Sequence, residues 1–174
     1  MKTMLASVCL LFLSLHTTAQ QTISFDVAAI RNIRHQLNGL NVSSFYHLNE
    51  RITGGLEVNR FFPKSHQAGE ETIQLSAWDI DLNFHYLISL SRSVKLYPIT
   101  GISHTSEKEM NGSTKEAKYE RLWSYNAGAG FLWETGKWAP HIEYLFTWGH
   151  LNQQFLLAGI SYEITFGKEK PKEK

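Results

Sequence analysis

Residues 78–87, WDIDLNFHYL, alternate without a slip: Trp78, Ile80, Leu82, Phe84 and Tyr86 share one parity, and Asp79, Asp81, Asn83 and His85 share the other. Successive side chains of a strand point to opposite faces, so this is a two-faced β-strand with one apolar face and one polar face. The same alternation marks eight strands in all, at roughly 22–30, 39–48, 51–61, 72–87, 93–104, 121–133, 138–148 and 154–166. Their connections alternate short and long. His47 to Glu50, Ile88 to Arg92 and Glu134 to Lys137 read as tight turns, whereas Arg31 to Asn38, Phe62 to Glu71, Thr105 to Glu120 and Gly149 to Gln153 are mostly longer. An up-and-down barrel has this order, with short turns at one end and longer loops at the other. The alternation alone leaves two destinations for the aromatics: burial against a second sheet in a soluble sandwich, or exposure to lipid around an enclosed polar axis.

Aromatic spacing separates the two. On the sixth strand Trp123, Tyr125, Phe131 and Trp133 share a face, and on the seventh Trp138, Ile142, Tyr144, Phe146 and Trp148 do. Each strand carries tryptophan at both ends, ten residues apart. Ten residues advance about 33 Å along a strand, which a tilt near 40° reduces to about 25 Å, the height of the apolar band of a membrane barrel. Trp123, Trp133, Trp138 and Trp148 are therefore assigned to the two membrane boundaries, where an indole suits a place half apolar and half wet. The fold class that follows is all-β, an eight-stranded antiparallel up-and-down transmembrane β-barrel.

The opposite parity is small and polar, as the filled interior of a narrow barrel requires. It carries Glu57, Asp79, Asp81, Glu143 and Glu163, and buried charges are costly unless paired. Arg51, Lys95, His85 and His141 are the expected partners, forming a luminal polar network. Some of these carboxylates are alternatively hydrated.

Composition narrows the class further. Lys2, the apolar run Met4 to Leu15 and the small residues Thr17-Thr18-Ala19 have the order of a secretory signal peptide. Export divides the chain into a signal peptide at 1–19, a barrel at 20–166 and a charged periplasmic tail at 167–174. The single cysteine, Cys9, falls in the signal, so the mature chain has no disulfide and no Cys-ligated metal. Seventeen Lys and Arg stand against sixteen Asp and Glu, a balance that argues against a nucleic-acid partner.

Three stretches carry a resemblance: Thr53-Gly54-Gly55-Leu56-Glu57-Val58-Asn59-Arg60-Phe61-Phe62, Leu96-Tyr97-Pro98-Ile99-Thr100-Gly101, and Gly159-Ile160-Ser161-Tyr162-Glu163-Ile164-Thr165-Phe166. In them the mature chain resembles the small eight-stranded outer-membrane barrels of Gram-negative bacteria, of OmpA/OmpX-like architecture, and most closely the porin-like barrels of Bacteroidetes. The third stretch is similar to the insertion signal read by the barrel-assembly machinery, although the chain runs on from Gly167 to Lys174. The resemblance implies residence in the cell outer membrane among its lipids.

Two constellations are candidates for chemistry. His104-Thr105-Ser106 with Glu116 resembles the His-x-Ser plus Glu set of outer-membrane lipid A deacylases, in which Ser attacks an ester, His takes its proton and the acid orients the imidazole. In those enzymes the motif lies near the C-terminus and an Asn follows the Ser, whereas here Glu107 follows it on an earlier strand. Asp79, Asp81 and His85, with His141 across the lumen, include metal-ligand types, but neighbours two apart on a strand lie nearly 7 Å apart, too far to share one ion unaided. The reading adopted is a monomeric, non-enzymatic envelope or surface-interaction protein without cofactor or metal. Lys108 to Arg121, in the expected loop 105–120 and at the start of the strand after it, is its contact surface for an extracellular partner. A lipid A esterase and a small-solute channel are the alternatives, the channel disfavoured because eight strands enclose so little space.

Overall fold

The computed structural model describes residues 21–68, 71–112, 114–150 and 152–166; the expected signal peptide with Cys9 and the expected tail 167–174 lie outside them. Eight long strands follow one another: β1 Gln21–Asn32, β2 Leu37–His47, β3 Ile52–Ala68, β4 Glu71–Tyr86, β5 Val94–Asn111, β6 Ala117–Trp133, β7 Trp138–Gly149 and β8 Gln153–Phe166. The pair Ile88–Ser89 resumes the β4–β5 ladder after Leu87. Each strand pairs antiparallel with its neighbours in sequence, and β1 with β8 closes the cylinder.

The register fixes the shape of that cylinder. A rung starting at Leu96 on β5 passes through Phe131, Ile142, Ala158, Ala29, Leu40, Arg60 and Trp78 and returns to β5 at Ser106, ten residues further on. Eight strands with a stagger of ten tilt by about 40° and enclose a Cα radius of about 8 Å, a space that side chains fill.

Facing follows parity. Leu82, Trp123 and Tyr144 are 39, 60 and 46% exposed, whereas Asp81 and Asn126 are 2 and 0% exposed. The apolar faces therefore look outward and the core lies on the barrel axis. Asparagine organises two of the turns: Asn49 Oδ1 accepts the N–H groups of Arg51 and Ile52 at 2.8 Å each, and Asn32 Oδ1 accepts that of His35 at 2.9 Å.

The ends of the barrel correct the expected loops. Most of the expected loops 62–71 and 105–120 is strand: β3 continues to Ala68, β4 starts at Glu71, β5 continues to Asn111 and β6 starts at Ala117. Connections are short at both ends, and strand length is what differs. β2 leaves β3 at the pair Gly39–Phe61, and β7 leaves β6 at Gly149–Ser124, so β3 to β6 run on as a four-stranded tongue with two free edges. One edge contains Pro63 and a bulge between Phe61 and Lys64, features that blunt strand pairing. Arg51, expected within a strand, lies in the β2–β3 turn and is exposed.

Candidate functional site

The lumen is built in layers. At the end carrying the β2–β3, β4–β5 and β6–β7 turns, Lys95 pairs with Glu134, and His47 Nε2 lies 4.0 Å from Glu163 Oε1. Next comes a polar cavity of about 50 Å³ whose lining includes Asp26, Glu57, His85, His141 and Glu143. It has room for a few waters. Across it Phe45, His85 and Tyr97 stack, with ring centroids 4.3 and 4.9 Å apart, and the Tyr97 hydroxyl donates to Glu143 Oε1 at 2.7 Å. Two glycines make that layer fit: a Cβ at Gly130 would lie 2.2 Å from Tyr97 Cζ, and one at Gly55 2.4 Å from Phe45 Cδ1.

Beyond the aromatics, amides hold the carboxylates. Asn83 Nδ2 donates to Glu57 Oε1 at 2.7 Å and Asn41 Nδ2 to Glu57 Oε2 at 3.0 Å. Asn59 Nδ2 donates to Asp81 Oδ2 at 2.8 Å, and Asn126 Nδ2 to Asn83 Oδ1 at 3.0 Å. Of the four partners expected from the sequence, His141 does line the cavity beside Asp26 and Glu143, and the other three are corrected. Arg51 is outside the lumen, Lys95 is engaged at the rim, and His85 Nε2 has no hydrogen-bond partner among the described residues. Amide donors supply local hydrogen bonds without adding a second charge. Asn41, Asn59, Asn83 and Asn126, and with them Asp26 and Tyr97, are members of the network that sequence reasoning missed.

Toward the tongue the interior turns apolar. Ile30, Leu37, Phe61, Phe155 and Leu157 belong to one buried cluster, and the rings of Phe61 and Phe155 stack at 5.6 Å from strands three apart around the ring.

The candidate esterase residues are not assembled. His104 and Ser106 point outward from β5, and the His104 ring packs 4.7 Å from that of Trp123 and 6.1 Å from that of Trp78. Glu116 lies beside the tongue tip, seven residues beyond Trp123, the partner of His104, which is about 23 Å of strand. No hydrogen bond joins any two of the three among the described residues, and no cluster of three or more His, Cys, Asp or Glu there could hold a metal ion.

On the outer wall Trp123, Trp133, Trp138 and Trp148 are all exposed. At a tilt near 40°, Trp123 and Trp148 come to one level and Trp133 and Trp138 to another about 25 Å away. Trp78, on the same outward parity, joins the upper level.

Comparison with solved structures returns the same fold. The chain is similar to the N-terminal β-barrel domain of Pseudomonas aeruginosa OprF, with a TM-score of 0.61 and 13% identity over 82% of this chain and 97% of that one. It is similar to Ail, the attachment invasion locus protein of Yersinia pestis, with a TM-score of 0.57 and 13% identity over 85% and 100%. A major outer membrane protein of Thermus thermophilus gives a TM-score of 0.65 at 8% identity over 83% and 99%. No protein-family model matches the chain, and no curated protein does. What the chain shares with these structures at such identities is the fold, a closed eight-stranded transmembrane β-barrel.

Proposed function

We propose that the protein is a monomeric, non-enzymatic barrel of a Gram-negative outer membrane, exported by residues 1–19 and inserted by the barrel-assembly machinery. Its role in this reading is to brace the envelope and to present the tongue outside the cell. The motifs at 53–62, 96–101 and 159–166 support kinship with the porin-like barrels of Bacteroidetes. The observation that carries the role is the division of labour within the sheet. The spanning part carries a buried apolar cluster and an amide-bonded polar layer in its interior, which favours a structural role over passage of a solute, while the tongue neither spans nor closes. Its likeness in fold to Ail, a protein named for attachment and invasion, supports a surface role.

The tongue also has a preferred kind of partner. On its inward parity Glu107, Glu109 and Glu120 stand against Lys64 and Lys118, a small acidic excess that suits a basic complementary surface. Cell fractionation and trypsin treatment of intact cells test the reading together. The mature chain should sediment with membranes and be cut between Lys108 and Arg121 from outside. Recovery in the soluble periplasmic fraction without detergent would sink the proposal.

A further inference from the structure

The tongue is charged differently on its two faces, and the outward face meets the membrane. One rung reads Arg60, Trp78, Ser106 and Arg121 across β3 to β6, all on the outward parity. The rung beneath it reads Val58, Ile80, His104 and Trp123. Above it Lys108 stands opposite Tyr119, with Nζ 5.7 Å from the ring centroid. From the Arg60 rung to Met110 and Ala117, the outward parity of β4, β5 and β6 bears no carboxylate among the described residues, while the inward parity carries Glu107, Glu109 and Glu120. Neither Arg60 nor Arg121 has an ion pair or side-chain hydrogen bond there.

Height matters as much as charge. A strand tilted by about 40° climbs about 2.5 Å per residue, and a rung climbs about 3 Å per strand. Arg121 and Lys108 thus stand about 5 and 7 Å beyond the level of Trp123, within the headgroup zone that borders the hydrocarbon. Arg60 starts about 4 Å below that level, and its long side chain extends up to it. Lys108 and Arg121 flank Ser106, which is buried among the surrounding side chains, and Arg60 stands at the far edge of the patch, three strands from Arg121 with Trp78 between. Directly below, Leu56, Ile80, Leu82, Ile102, His104 and Trp123 line an apolar groove on the outer wall.

We propose that this patch is a lipid-binding site that seats the phosphomonoester headgroup of a lipid in the tongue-side leaflet, with an acyl chain in the groove below. The inference rests on the membrane reading above. A phosphomonoester carries about 1.5 to 2 negative charges and three acceptor oxygens, which suits the Arg121 guanidinium fork beside the Lys108 ammonium better than a zwitterionic headgroup does, with Arg60 adding attraction from the edge of the patch. The Ser76 hydroxyl, opposite Lys108 on the neighbouring strand, is a further donor.

The test uses the full mature chain refolded in a maltoside detergent, with folding verified by heat-dependent mobility in SDS. Native mass spectrometry then measures retained dioleoyl phosphatidic acid against dioleoyl phosphatidylcholine. The wild-type chain should retain phosphatidic acid preferentially. The Arg60→Gln, Lys108→Gln, Arg121→Gln triple variant should lose about tenfold or more of that occupancy, with phosphatidylcholine unchanged. Arg121→Gln alone should lose part of it. A control triple at the opposite end, Arg51→Gln, Arg92→Gln, Lys137→Gln, should retain wild-type occupancy. Equal loss in the two triples would reduce the patch to unspecific charge and overturn the site. Displacement by inorganic phosphate or by a polyglutamate peptide would overturn its assignment to a lipid. Failure of the wild-type chain to give a heat-modifiable detergent-soluble barrel would instead remove the membrane reading itself.

Discussion

The two halves of the cylinder solve the same problem with different chemistry. In its tongue-side half, the wall formed by β7, β8, β1 and β2 points Ala28, Ile30, Leu37, Leu145, Phe155 and Leu157 inward. At corresponding depth the wall formed by β3 to β6 points Asn59, Asp79, Asp81, Ser103, Ser124 and Asn126 inward. The apolar wall ends at the rim, and the polar wall continues as the tongue. Packing against rings stabilises the first by contact and by exclusion of water. The second depends on each carboxylate finding amide donors in a place that water reaches poorly. Each wall keeps a minority of the other kind, Phe61 on β3 and the hydrogen-bonded pair Asn32–Gln153 with Asn41 on the opposite side, so one chemistry predominates on each side without excluding the other.

The largest expected effect breaks the apolar side. Phe155→Ala removes a ring stacked on Phe61 and should destabilise the barrel by about 3–5 kcal/mol, measured by urea unfolding from lipid vesicles. Leu156→Ala, one residue on but facing outward, should cost less because lipid chains fill the space. A reversed order would mean that β8 faces the other way. Next in size is Leu82→Arg, which lies near the middle of the apolar band on the tilt derived above and should cost about 2–4 kcal/mol in the same assay. Ser161→Thr, on the inward parity, should be tolerated better. Equal tolerance at residues 82 and 161 would contradict the facing.

What could be read from the chain follows the same division. The outward parity was legible because large apolar residues recur at period two and tryptophans recur at a membrane height, as in Trp123 to Trp133. The apolar half of the lumen was not, because from Phe155 to Ala158 both parities are apolar and the period disappears. The tongue was hidden for the converse reason. Beyond the membrane neither face needs to be greasy, so Lys108, Glu109, Lys118 and Glu120 read as loop although neighbouring strands satisfy their backbone groups. In the site, Glu57 and Asp81 stood out as charges on a strand, but their actual partners did not. An asparagine such as Asn83 is equally at home facing water, and only the closed ladder turns it into a required donor.

That requirement gives the smallest and most discriminating prediction, at Asn83. Its Nδ2 donates to Glu57 and its Oδ1 accepts from Asn126, so it links two members of the polar wall. Asn83→Ala removes both hydrogen bonds and leaves Glu57 with Asn41 as its side-chain donor, at an expected cost of about 1–3 kcal/mol by urea unfolding. Asn83→Asp keeps the shape and the acceptor for Asn126 but turns a second carboxylate toward Glu57 in place of a donor. If hydrogen bonding rather than space filling holds this wall, Asp should be worse than Ala at neutral pH, since it loses the amide donor and buries a second carboxyl group against Glu57. An aspartate variant as stable as the parent would show that Asn83 acts by its volume, and the contrast between a packed wall and a bonded one would collapse into two packed walls.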